Sequence, residues 1–352
     1  MSEKVLVAMS GGVDSSVCAL LLKEKGYDCI GATMRLISRD DPAITAHTAR
    51  DEHDALSIAQ RLGIPFTVLD CTAQFRTAVM DYFVNTYLTG GTPNPCVECN
   101  KTMKFGYFLD AAIRMGYDKI ATGHYARIER DDSGRFLLKR AADLSKDQSY
   151  VLWQLSQEQL SHTLFPLGNL CKADVRAIAE ANGFCNAARR DSQDICFIPD
   201  GDYAAFISRY TNKDFPSGNF VDLCGNVLGR HNGAVRYTVG QRKGLGIAFG
   251  KPTYVCGKDM ASNTVILGSN EDLFKSEHTA HSINLIACDS LPAPIRATAK
   301  LRYAATDAPC TVEQTAADTL CVRFDSPQRA ATSGQSLVIY DGDTVIGGGI
   351  LD

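Results

Sequence analysis

The chain has 352 residues, 45% of them hydrophobic and 22% charged, with a formal net charge of −4 at pH 7, so any nucleic acid must be met by local basic patches. No apolar run reaches about 18 residues and no basic segment precedes an apolar one, which excludes a membrane span and a secretory signal and predicts a cytoplasmic protein. Thirteen cysteines, an odd number, are then expected to be mostly reduced thiols rather than a disulfide scaffold.

The first predicted elements are an apolar strand, a glycine-rich loop with the sequence S-G-G-V-D-S-S and a helix, at residues 4 to 9, 10 to 16 and 15 to 25. Gly11 and Gly12 permit a tight turn that directs successive N–H groups at an anion, and Ser15, Ser16 and the helix N-terminus add donors. A Walker loop is excluded because it needs G-x-x-x-x-G-K-[ST]. The loop resembles the S-G-G-x-D-S pyrophosphate loop of ATP pyrophosphatases, which cut ATP between its α and β phosphates and adenylate a substrate.

Strand and helix patterns continue to alternate over the first two hundred residues. Further strands are predicted at residues 27 to 34, 65 to 71 and 119 to 122, and a helix at residues 49 to 62. This alternation predicts a doubly wound parallel sheet, whose ligands bind beyond the carboxyl ends of the strands. The glycine-rich loop, Met34 and Gly123 are all expected at that edge.

From about residue 205 onward the pattern changes to short strands and turns. A helix is predicted over residues 202 to 210 and strands within residues 220 to 228, 254 to 267, 295 to 303, 311 to 314, 320 to 324 and 336 to 340, with breaks at Pro292, Pro294, Pro309 and Pro327. Short strands at this spacing are typical of a small β-barrel or sandwich. We predict an α/β domain at residues 1–205, a small β-rich central domain at 206–275 and a C-terminal β-barrel at 276–352.

A second motif, T-P-N-P-C-V-E-C-N at residues 92 to 100, places Cys96 and Cys99 at C-x-x-C spacing. A zinc site would need two more ligands at matched spacing, which the sequence lacks. A thioredoxin-like redox pair would lie at a strand–helix junction, whereas this pair follows a proline-rich loop. The third interpretation is sulfur chemistry with Cys196, in the segment R-R-D-S-Q-D-I-C-F-I. Taken alone, Cys196 is equally typical of a small buried apolar residue.

Together these segments are similar to the bacterial tRNA-specific 2-thiouridylases over nearly the whole chain. The residues that carry the resemblance are 9–16, 33–34, 91–105, 121–125, 146–152, 165–168, 191–198, 239–246, 301–310 and 347–350. The resemblance implies an adenine nucleotide alpha hydrolase-like first domain. It also implies that sulfur replaces the C2 oxygen of wobble uridine 34 in the tRNAs for Lys, Glu and Gln. That reaction uses ATP and a persulfide delivered by a relay from a cysteine desulfurase.

The resemblance also implies a sequence of chemical steps. Adenylation of O2 turns a poor leaving group into AMP, while Mg²⁺ and the loop amides neutralise the departing pyrophosphate. Cys196 accepts the persulfide, and attack by Cys99 releases sulfide at the activated base and leaves a Cys99–Cys196 disulfide. The thiolates require electropositive surroundings. The neighbouring cations in the sequence are Lys101, Lys104, Arg189 and Arg190.

Residue-by-residue matching implies the remaining site residues. The residues matched to the ATP phosphates are Ala8, Met9, Ser10, Gly11, Gly12, Val13, Asp14 and Ser15, and those matched to the adenosine part are Met34 and Gly123. The residues matched to the target uridine are Asn94, Pro95 and Cys96. The residues matched to tRNA-contacting segments are Lys146, Asp147, Gln148, Arg302 and Tyr303. The basic loop at residues 241 to 246 is expected to follow RNA phosphates, and His124 to pack or orient a neighbour rather than act as a base.

Cys96 departs from the family pattern, because many members have aspartate three residues before the nucleophile. The departure puts the base-contact role of this position in doubt. It also creates a set of three thiols, Cys96, Cys99 and Cys196, that could ligate three irons of a [4Fe–4S] cluster and leave one iron for a terminal sulfide. Spacing alone leaves both the persulfide route and the cluster route open.

The second class of function is an ATP-pyrophosphate-cleaving ligase or amidotransferase that acts on a small metabolite. The chain has no N-terminal catalytic cysteine and no glutaminase-like segment, which argues against an amidotransferase. A pure RNA-binding module would leave the loop and the thiols unexplained. Stimulation of pyrophosphate release by unmodified tRNA distinguishes the thiouridylase from the small-molecule enzymes.

Overall fold

The structure is a computed structural model that describes residues 2–38, 42–187, 189, 195–247 and 250–352, with side chains for all of these except residues 42–48. Arg190 and residues 191 to 194 of the predicted sulfur-transfer motif lie outside the described residues. Within the described ranges, none of the helices combines the length and apolar character that crossing a bilayer requires.

The first domain is built on a parallel sheet of five strands. The strands of the first two hundred residues are β1 (Lys4–Ala8), β2 (Asp28–Arg35), β3 (Phe66–Asp70), β4 (Lys119–Ala121), β5 (Ala126–Arg130), β6 (Phe136–Arg140) and β7 (Thr163–Leu164). The sheet has the order β3-β2-β1-β4-β7, and its neighbours are parallel throughout. The predicted doubly wound α/β fold is confirmed, with β1 at the centre of the sheet.

Helices cover both faces of this sheet. They are α1 (Val13–Glu24), α2 (Pro42–Leu62), α3 (residues 72–88), α4 (residues 95–114), α5 (Gln157–Ser161), α6 (Lys172–Ala181) and α7 (Tyr203–Thr211). Val5 and Val7 of β1 pack with residues of α1, α2 and α6, whereas Leu6 packs with residues of α4 on the other face. Successive residues of a strand point to opposite faces of a sheet. Because helices cover both faces here, all three side chains are fully buried.

Helices α3 and α4 each contain a π-helical stretch between α-helical ends. The stretches are Arg76–Met80 in α3 and Cys99–Tyr107 in α4. Their i→i+5 hydrogen bonds widen each turn, so apolar side chains do not recur at the α-helical period of 3.6 residues. No helix was predicted between residues 72 and 114, and this irregular period is the physical reason.

The central domain is a four-stranded sheet made of two hairpins. Its strands are β8 (Gly218–Val221), β9 (Val227–His231), β10 (Tyr254–Asp259) and β11 (Thr264–Gly268), in the order β10-β11-β8-β9. The hairpins join through the parallel pair of β8 and β11, with Phe220, Val255 and Val265 fully buried between them. Helix α7 spans the predicted boundary at residue 205, and its Phe206 packs against α3.

The last domain is a closed barrel of six strands, which confirms the predicted β-barrel. The strands are β12 (Phe274–Leu285), β13 (Ile295–Lys300), β14 (Ala308–Ala316), β15 (Thr319–Arg329), β16 (Ser336–Asp341) and β17 (Thr344–Leu351). Their order is β12-β15-β14-β13-β16-β17, and pairing of β12 with β17 closes the ring. Closure leaves no unpaired edge within the ring itself.

Two of the predicted breaks in the barrel are wrong, because Pro309 and Pro327 lie inside β14 and β15. Pro309 is opposite Thr298 of β13, one residue before the pairing of β14 with β15 starts. Pro327 lies where the register between β15 and β12 shifts. A proline fits both places because no ladder N–H is required at a strand end or a bulge.

The barrel packs closely against the first domain. Strand β6 pairs with β17, so the hairpin β5–β6 extends the barrel sheet from within the first domain. Trp153 is fully buried at this contact, and a Cβ atom added to Gly348 of β17 would lie 2.9 Å from its indole ring. The glycine is therefore required for the close approach of strand and ring.

Replacing Gly348 by alanine is expected to lower the free energy of unfolding by about 1–3 kcal/mol, because the added methyl group would clash with the carbonyl oxygen of Leu337 and lie 2.9 Å from the indole ring of Trp153. Urea denaturation measures the change. Gly257→Ala is the matched control, since its nearest neighbour would be a flexible isoleucine methyl group at 3.5 Å. Equal stability of the two variants would contradict this close packing of β17 against β16 and Trp153.

Candidate active site

The glycine-rich loop joins the carboxyl end of β1 to the start of α1. Gly11 has a φ of 74°, a conformation that L side chains rarely adopt, and a Cβ atom there would lie 2.5 Å from the carbonyl oxygen of Asp51. Gly12 is the N-cap of α1, and no side chain caps this helix start. The first turn therefore presents backbone N–H groups and the positive end of the helix dipole, as an anion site requires.

The hydroxyl groups of Ser15 and Ser16 point into the loop rather than away from it. They donate to the carbonyl oxygen of Gly12 at 2.9 and 3.0 Å, and Ser15 Oγ accepts from the backbone N–H of Ser10 at 3.1 Å. Each hydroxyl has one hydrogen, which is already used. Donation to a phosphate would need these hydrogens to turn away from Gly12, and it stays a prediction. The two hydroxyls hold the turn in shape, and the backbone is the anion-facing part.

Two side chains that the sequence analysis did not name as site residues donate hydrogen bonds to the carboxylate of Asp14. Lys172 Nζ donates to both carboxylate oxygens at 2.8 Å, and the Tyr125 hydroxyl donates to Oδ1 at 2.8 Å. A third such residue, Asn186, donates from its amide to the carbonyl oxygen of Gly11 at 2.8 Å and to Ser16 Oγ at 3.0 Å. Lys172 is 8% exposed, so the loop is braced by a buried cation.

Met34 and Gly123 lie at the same sheet edge as the loop. Gly123 follows β4, and a Cβ atom there would lie 2.7 Å from the carbonyl carbon of Asp14 and 2.8 Å from the nitrogen of Ser15. Met34, near the end of β2, is half-buried between the apolar residues of α4 and those around Cys99. Met34 therefore connects the edge that carries the loop to the neighbourhood of the thiols.

Cys96 and Cys99 lie in the first turn of α4. Asn94 is the N-cap of this helix and its Oδ1 accepts from the N–H of Val97 at 3.4 Å, while Pro95 occupies the first helical position. Cys96 is exposed and Cys99 is buried. The pair therefore opens a helix, but this helix follows α3 and the proline-rich loop rather than a strand, as the sequence indicated.

Cys196 lies in a turn that its neighbours anchor. The N–H of Ile198 donates to the carbonyl oxygen of Ile195 at 2.8 Å. Phe197 and Ile198 are each 2% exposed and belong to the same apolar cluster as Cys99, together with aromatic residues of α3. The side chain of Cys196 itself is exposed. Cys196 is thus not a small apolar residue of the core, and its turn packs beside Cys99.

All three thiols have raised pKa values. Burial raises the pKa of Cys99 to about 11 and that of Cys196 to about 12, the neighbouring thiols add to both, and burial also raises the pKa of Cys96. For Cys96 and Cys196 the residue keeps exposed surface while protein atoms surround the sulfur. Lys104 opposes all three shifts, because its ammonium group favours a thiolate.

Two of the other predicted cations, Arg189 and Lys101, have different partners, and Arg190 lies outside the described residues. Arg189 forms ion pairs with Asp51 at 2.6 Å and Asp54 at 3.4 Å, which corrects the expectation for this residue. Lys101 instead lowers the pKa of Glu98, which burial raises. Among the described residues, Lys104 is therefore the cation that the thiols share.

His124 holds Lys104 in place. Lys104 Nζ lies 3.4 Å from His124 Nε2, and His124 Nδ1 lies 2.7 Å from Thr122 Oγ1. An ammonium group only donates, so Nε2 accepts and Nδ1–H donates to Thr122. Burial and then Lys104 lower the pKa of His124 well below its usual value, so the ring is neutral. The ring also packs against Phe105, and these contacts are those of an orienting residue.

Replacing Lys104 by methionine is expected to raise the pKa of Cys99 and Cys196 further. A rise of about one unit would slow their reaction with iodoacetamide at pH 9 roughly tenfold, because only the thiolate reacts. Mass spectrometry of each modified peptide measures the rates. Lys101→Met, on the same helix, is the control and should leave them unchanged. Equal rates for both variants would mean that Lys104 does not act on the thiols.

The segments matched to tRNA contacts converge on Cys96 although they are far apart in the sequence. The Tyr303 hydroxyl donates to the carbonyl oxygen of Asp147 at 3.3 Å, and its ring centroid lies 5.8 Å from that of Tyr150. Burial raises the pKa of Tyr303, and the nearby Asp147 and Cys96 raise it further. Tyr303 nevertheless keeps 45% of its surface exposed. The barrel thus places an exposed aromatic side chain beside the C-x-x-C helix.

Other side chains of these segments are engaged within the fold. Asp147 is buried and accepts from the N–H groups of Ala141 and Ser149 at 3.0 and 3.2 Å and from Ser149 Oγ at 2.7 Å. Gln148 Oε1 accepts from a backbone N–H of the first domain, and Arg302 donates to a barrel carbonyl at 2.6 Å. The Asp147 carboxylate therefore shapes its loop, and its role as a direct tRNA contact stays a prediction.

The barrel also fixes the proline-rich loop that precedes Cys96. Gln335 Nε2 donates to the carbonyl oxygens of Thr92 at 2.7 Å and Pro93 at 3.2 Å. The N–H of Thr92 donates to the carbonyl oxygen of Ser333 at 2.8 Å. The position of the C-x-x-C helix therefore depends on the C-terminal domain, which the sequence did not reveal.

The three thiols do not form a metal site. Over the ranges that the structure describes, no group of three or more His, Cys, Asp or Glu side chains is arranged to hold a metal ion. Cys99 is packed into an apolar cluster, whereas Cys96 and Cys196 are exposed residues, so the three differ in their surroundings. The residues in this arrangement do not fit the predicted [4Fe–4S] alternative.

Three family models match consecutive parts of the chain. Their descriptions are "tRNA methyl transferase HUP domain" for residues 3–200, "tRNA methyl transferase PRC-barrel domain" for residues 204–269 and "Aminomethyltransferase beta-barrel domain" for residues 275–351. The first model alone covers more than half of the chain, and it matches the part that carries the loop and the three thiols.

Curated relatives match all three regions at once. The tRNA-specific 2-thiouridylase MnmA of Clostridioides difficile is 49% identical over 356 residues, covering 100% of this chain and 99% of the relative. The protein with the same name from Acetivibrio thermocellus is 48% identical over 357 residues, covering 99% of each. The descriptions of the domain models name methyl and aminomethyl transferases, whereas these relatives are named 2-thiouridylases. The name of the relatives applies, because they match this chain over its full length. The chain therefore belongs to the tRNA-specific 2-thiouridylase family.

Proposed function

We propose that this tRNA 2-thiouridylase adenylates the C2 oxygen of uridine 34 and then transfers sulfur through Cys196 and Cys99. The activity itself follows from the family. The observation that carries the residue-level proposal is that the turn of Cys196 is seated in the apolar cluster of Cys99, with Lys104 acting on both thiols. Met34 connects this cluster to the edge that holds the glycine-rich loop.

Use of ATP accords with the HUP domain of the family. The uncapped start of α1 fits the phosphates, and the proposed contacts are residues 8 to 15, with Met34 and Gly123 at the adenosine part. Lys172 and Asn186 stabilise this loop by hydrogen bonds to the Asp14 carboxylate and to the carbonyl oxygen of Gly11. Mg²⁺ would help neutralise the pyrophosphate that leaves. The chain's own part is to hold the α phosphate where the uridine oxygen can attack it.

The proposed sulfur step is a thiol–disulfide exchange. Cys196 carries the outer sulfur of a persulfide supplied by a cysteine desulfurase or its relay. The Cys99 thiolate attacks Cys196 Sγ, so the Cys99–Cys196 disulfide forms and the outer sulfur leaves as sulfide. Sulfide then attacks C2 of the adenylated base and AMP departs. Lys104 stabilises the thiolate that a raised pKa would otherwise disfavour.

The proposed tRNA-binding surface lies where the first domain meets the barrel. Tyr303 offers an exposed ring for stacking beside Cys96, and Lys146 precedes the loop that Asp147 shapes. The exposed Arg242 and Lys243 of the central domain are proposed as phosphate contacts. Such an arrangement suits an extruded anticodon base of the tRNAs for Lys, Glu and Gln.

The test measures pyrophosphate release and 2-thiouridine formation with an unmodified tRNA transcript, ATP and a persulfide donor. We expect the tRNA to stimulate pyrophosphate release and 2-thiouridine to appear at position 34. A transcript with cytidine at position 34 is the control and should stimulate neither. Pyrophosphate release that ignores tRNA would support a small-molecule ligase and contradict the proposal.

A further inference from the structure

Cys96 has no part in the sulfur transfer proposed above, yet it is the thiol paired most directly with Cys99. The two residues lie three positions apart in the first turn of α4, where side chains share one face with Cβ atoms about 5–6 Å apart. Small adjustments bring such a pair to the geometry of a disulfide. Cys96 is the exposed member and Cys99 the buried one.

Cys196 lies within reach of the same pair. Its turn is anchored by Phe197 and Ile198 in the apolar cluster of Cys99. The charges of Cys96 and Cys99 both act on the Cys196 thiol, and Lys104 acts on all three. Two thiols beside the buried sulfur of Cys99 permit exchange between two alternative disulfides.

We propose that Cys96 is the resolving thiol of the cycle, which attacks Cys99 Sγ in the Cys99–Cys196 disulfide and frees Cys196 for the next persulfide. This inference rests on the proposed function, which supplies that disulfide. The Cys99–Cys196 bond breaks, a Cys96–Cys99 bond forms, and the proton of the Cys96 thiol passes to the Cys196 thiolate. A dithiol reductant then attacks Cys96 Sγ and supplies two electrons, which returns both cysteines to thiols.

The exposures of the thiols suit this order of events. Cys196 must be open to a persulfide donor, and it is exposed. Cys99 is buried, so a reductant would have to attack its disulfide with Cys196 at Cys196 itself, whereas exchange moves the disulfide onto Cys96 and leaves Cys196 free to be loaded. Loading and reduction would then take place at two different exposed residues, and the buried Cys99 would exchange with both.

The experiment compares the wild-type chain with Cys96→Ser, Cys96→Ala and the control Cys224→Ser, which removes an exposed thiol of the central domain. Each full-length protein receives persulfide donor, ATP and unmodified tRNA, first without reductant and then with thioredoxin as the dithiol. Peptide mapping after one turnover should find Cys96–Cys99 in the wild type and Cys99–Cys196 in both Cys96 variants. With thioredoxin, later turnovers of the Cys96 variants should slow about tenfold or more.

Three results would overturn the proposal. One is a wild-type chain that retains Cys99–Cys196 after its first turnover. Another is a Cys96 variant that keeps the wild-type rate with thioredoxin, and a third is a variant that fails to make its first thiouridine, since Cys96 would then act before resolution. Failure of the proposed function looks different, because thiouridine would form in the wild type without any disulfide among the three cysteines.

Discussion

Replacing Cys99 or Cys196 by serine is expected to lower 2-thiouridine formation at least about a thousandfold, while ATP-dependent adenylation of tRNA continues. Serine retains the size of the side chain but neither carries a persulfide nor exchanges with a disulfide. The glycine-rich loop that supports adenylation lies on β1 and α1, away from α4 and the Cys196 turn. Thiolation and adenylation are measured separately, by nucleoside analysis and by AMP transfer to tRNA.

Matched controls separate the chemistry from packing. Cys71→Ser removes a buried thiol from the same apolar cluster as Cys99, and Cys224→Ser removes an exposed one as in Cys196. Both controls should retain thiolation. If Cys196→Ser thiolates at the wild-type rate, the assignment of the sulfur carrier is wrong. If adenylation falls together with thiolation, the two cysteines serve the fold of the site rather than the second step.

Replacing Gly123 by alanine is expected to lower adenylation about a hundredfold or more. The added Cβ would lie 2.7 Å from the carbonyl carbon of Asp14 and 2.8 Å from the nitrogen of Ser15, so the loop must move. A displacement of about 1 Å in a positioning element has an effect of this size on a reaction rate. Pyrophosphate release with unmodified tRNA measures the change, and thiolation should fall in parallel because it consumes the adenylate.

The thiols provide an internal check on this variant. Iodoacetamide should modify Cys99 and Cys196 of Gly123→Ala at wild-type rates, because the atoms nearest to the added methyl group belong to Asp14 and Ser15 rather than to α4 or the Cys196 turn. Gly257→Ala adds the same methyl group in an ordinary contact and should adenylate normally. Normal adenylation by Gly123→Ala would mean that the contact between β4 and the loop does not position ATP.

The parallel sheet and most barrel strands could be predicted because their apolar patterns are local. Strand β1 and the turn after it were recognisable from five apolar residues followed by two glycines. Helix α4 was not, because its π-helical stretch at Cys99–Tyr107 breaks the period on which a helix is recognised. The hairpin β5–β6 was missed as well, since its partner β17 lies at the other end of the chain.

The sequence by itself determined the loop, the C-x-x-C spacing and the family, because each depends on residues that are neighbours in the chain. Only the tertiary structure decided what surrounds them. It placed Lys172 on Asp14 across 158 residues and Tyr303 on Asp147 across 156. It also selected Lys104 over Arg189 as the cation of the thiols and put the C-x-x-C pair on a helix. Such contacts follow from how whole elements pack, and no local pattern of residues encodes them.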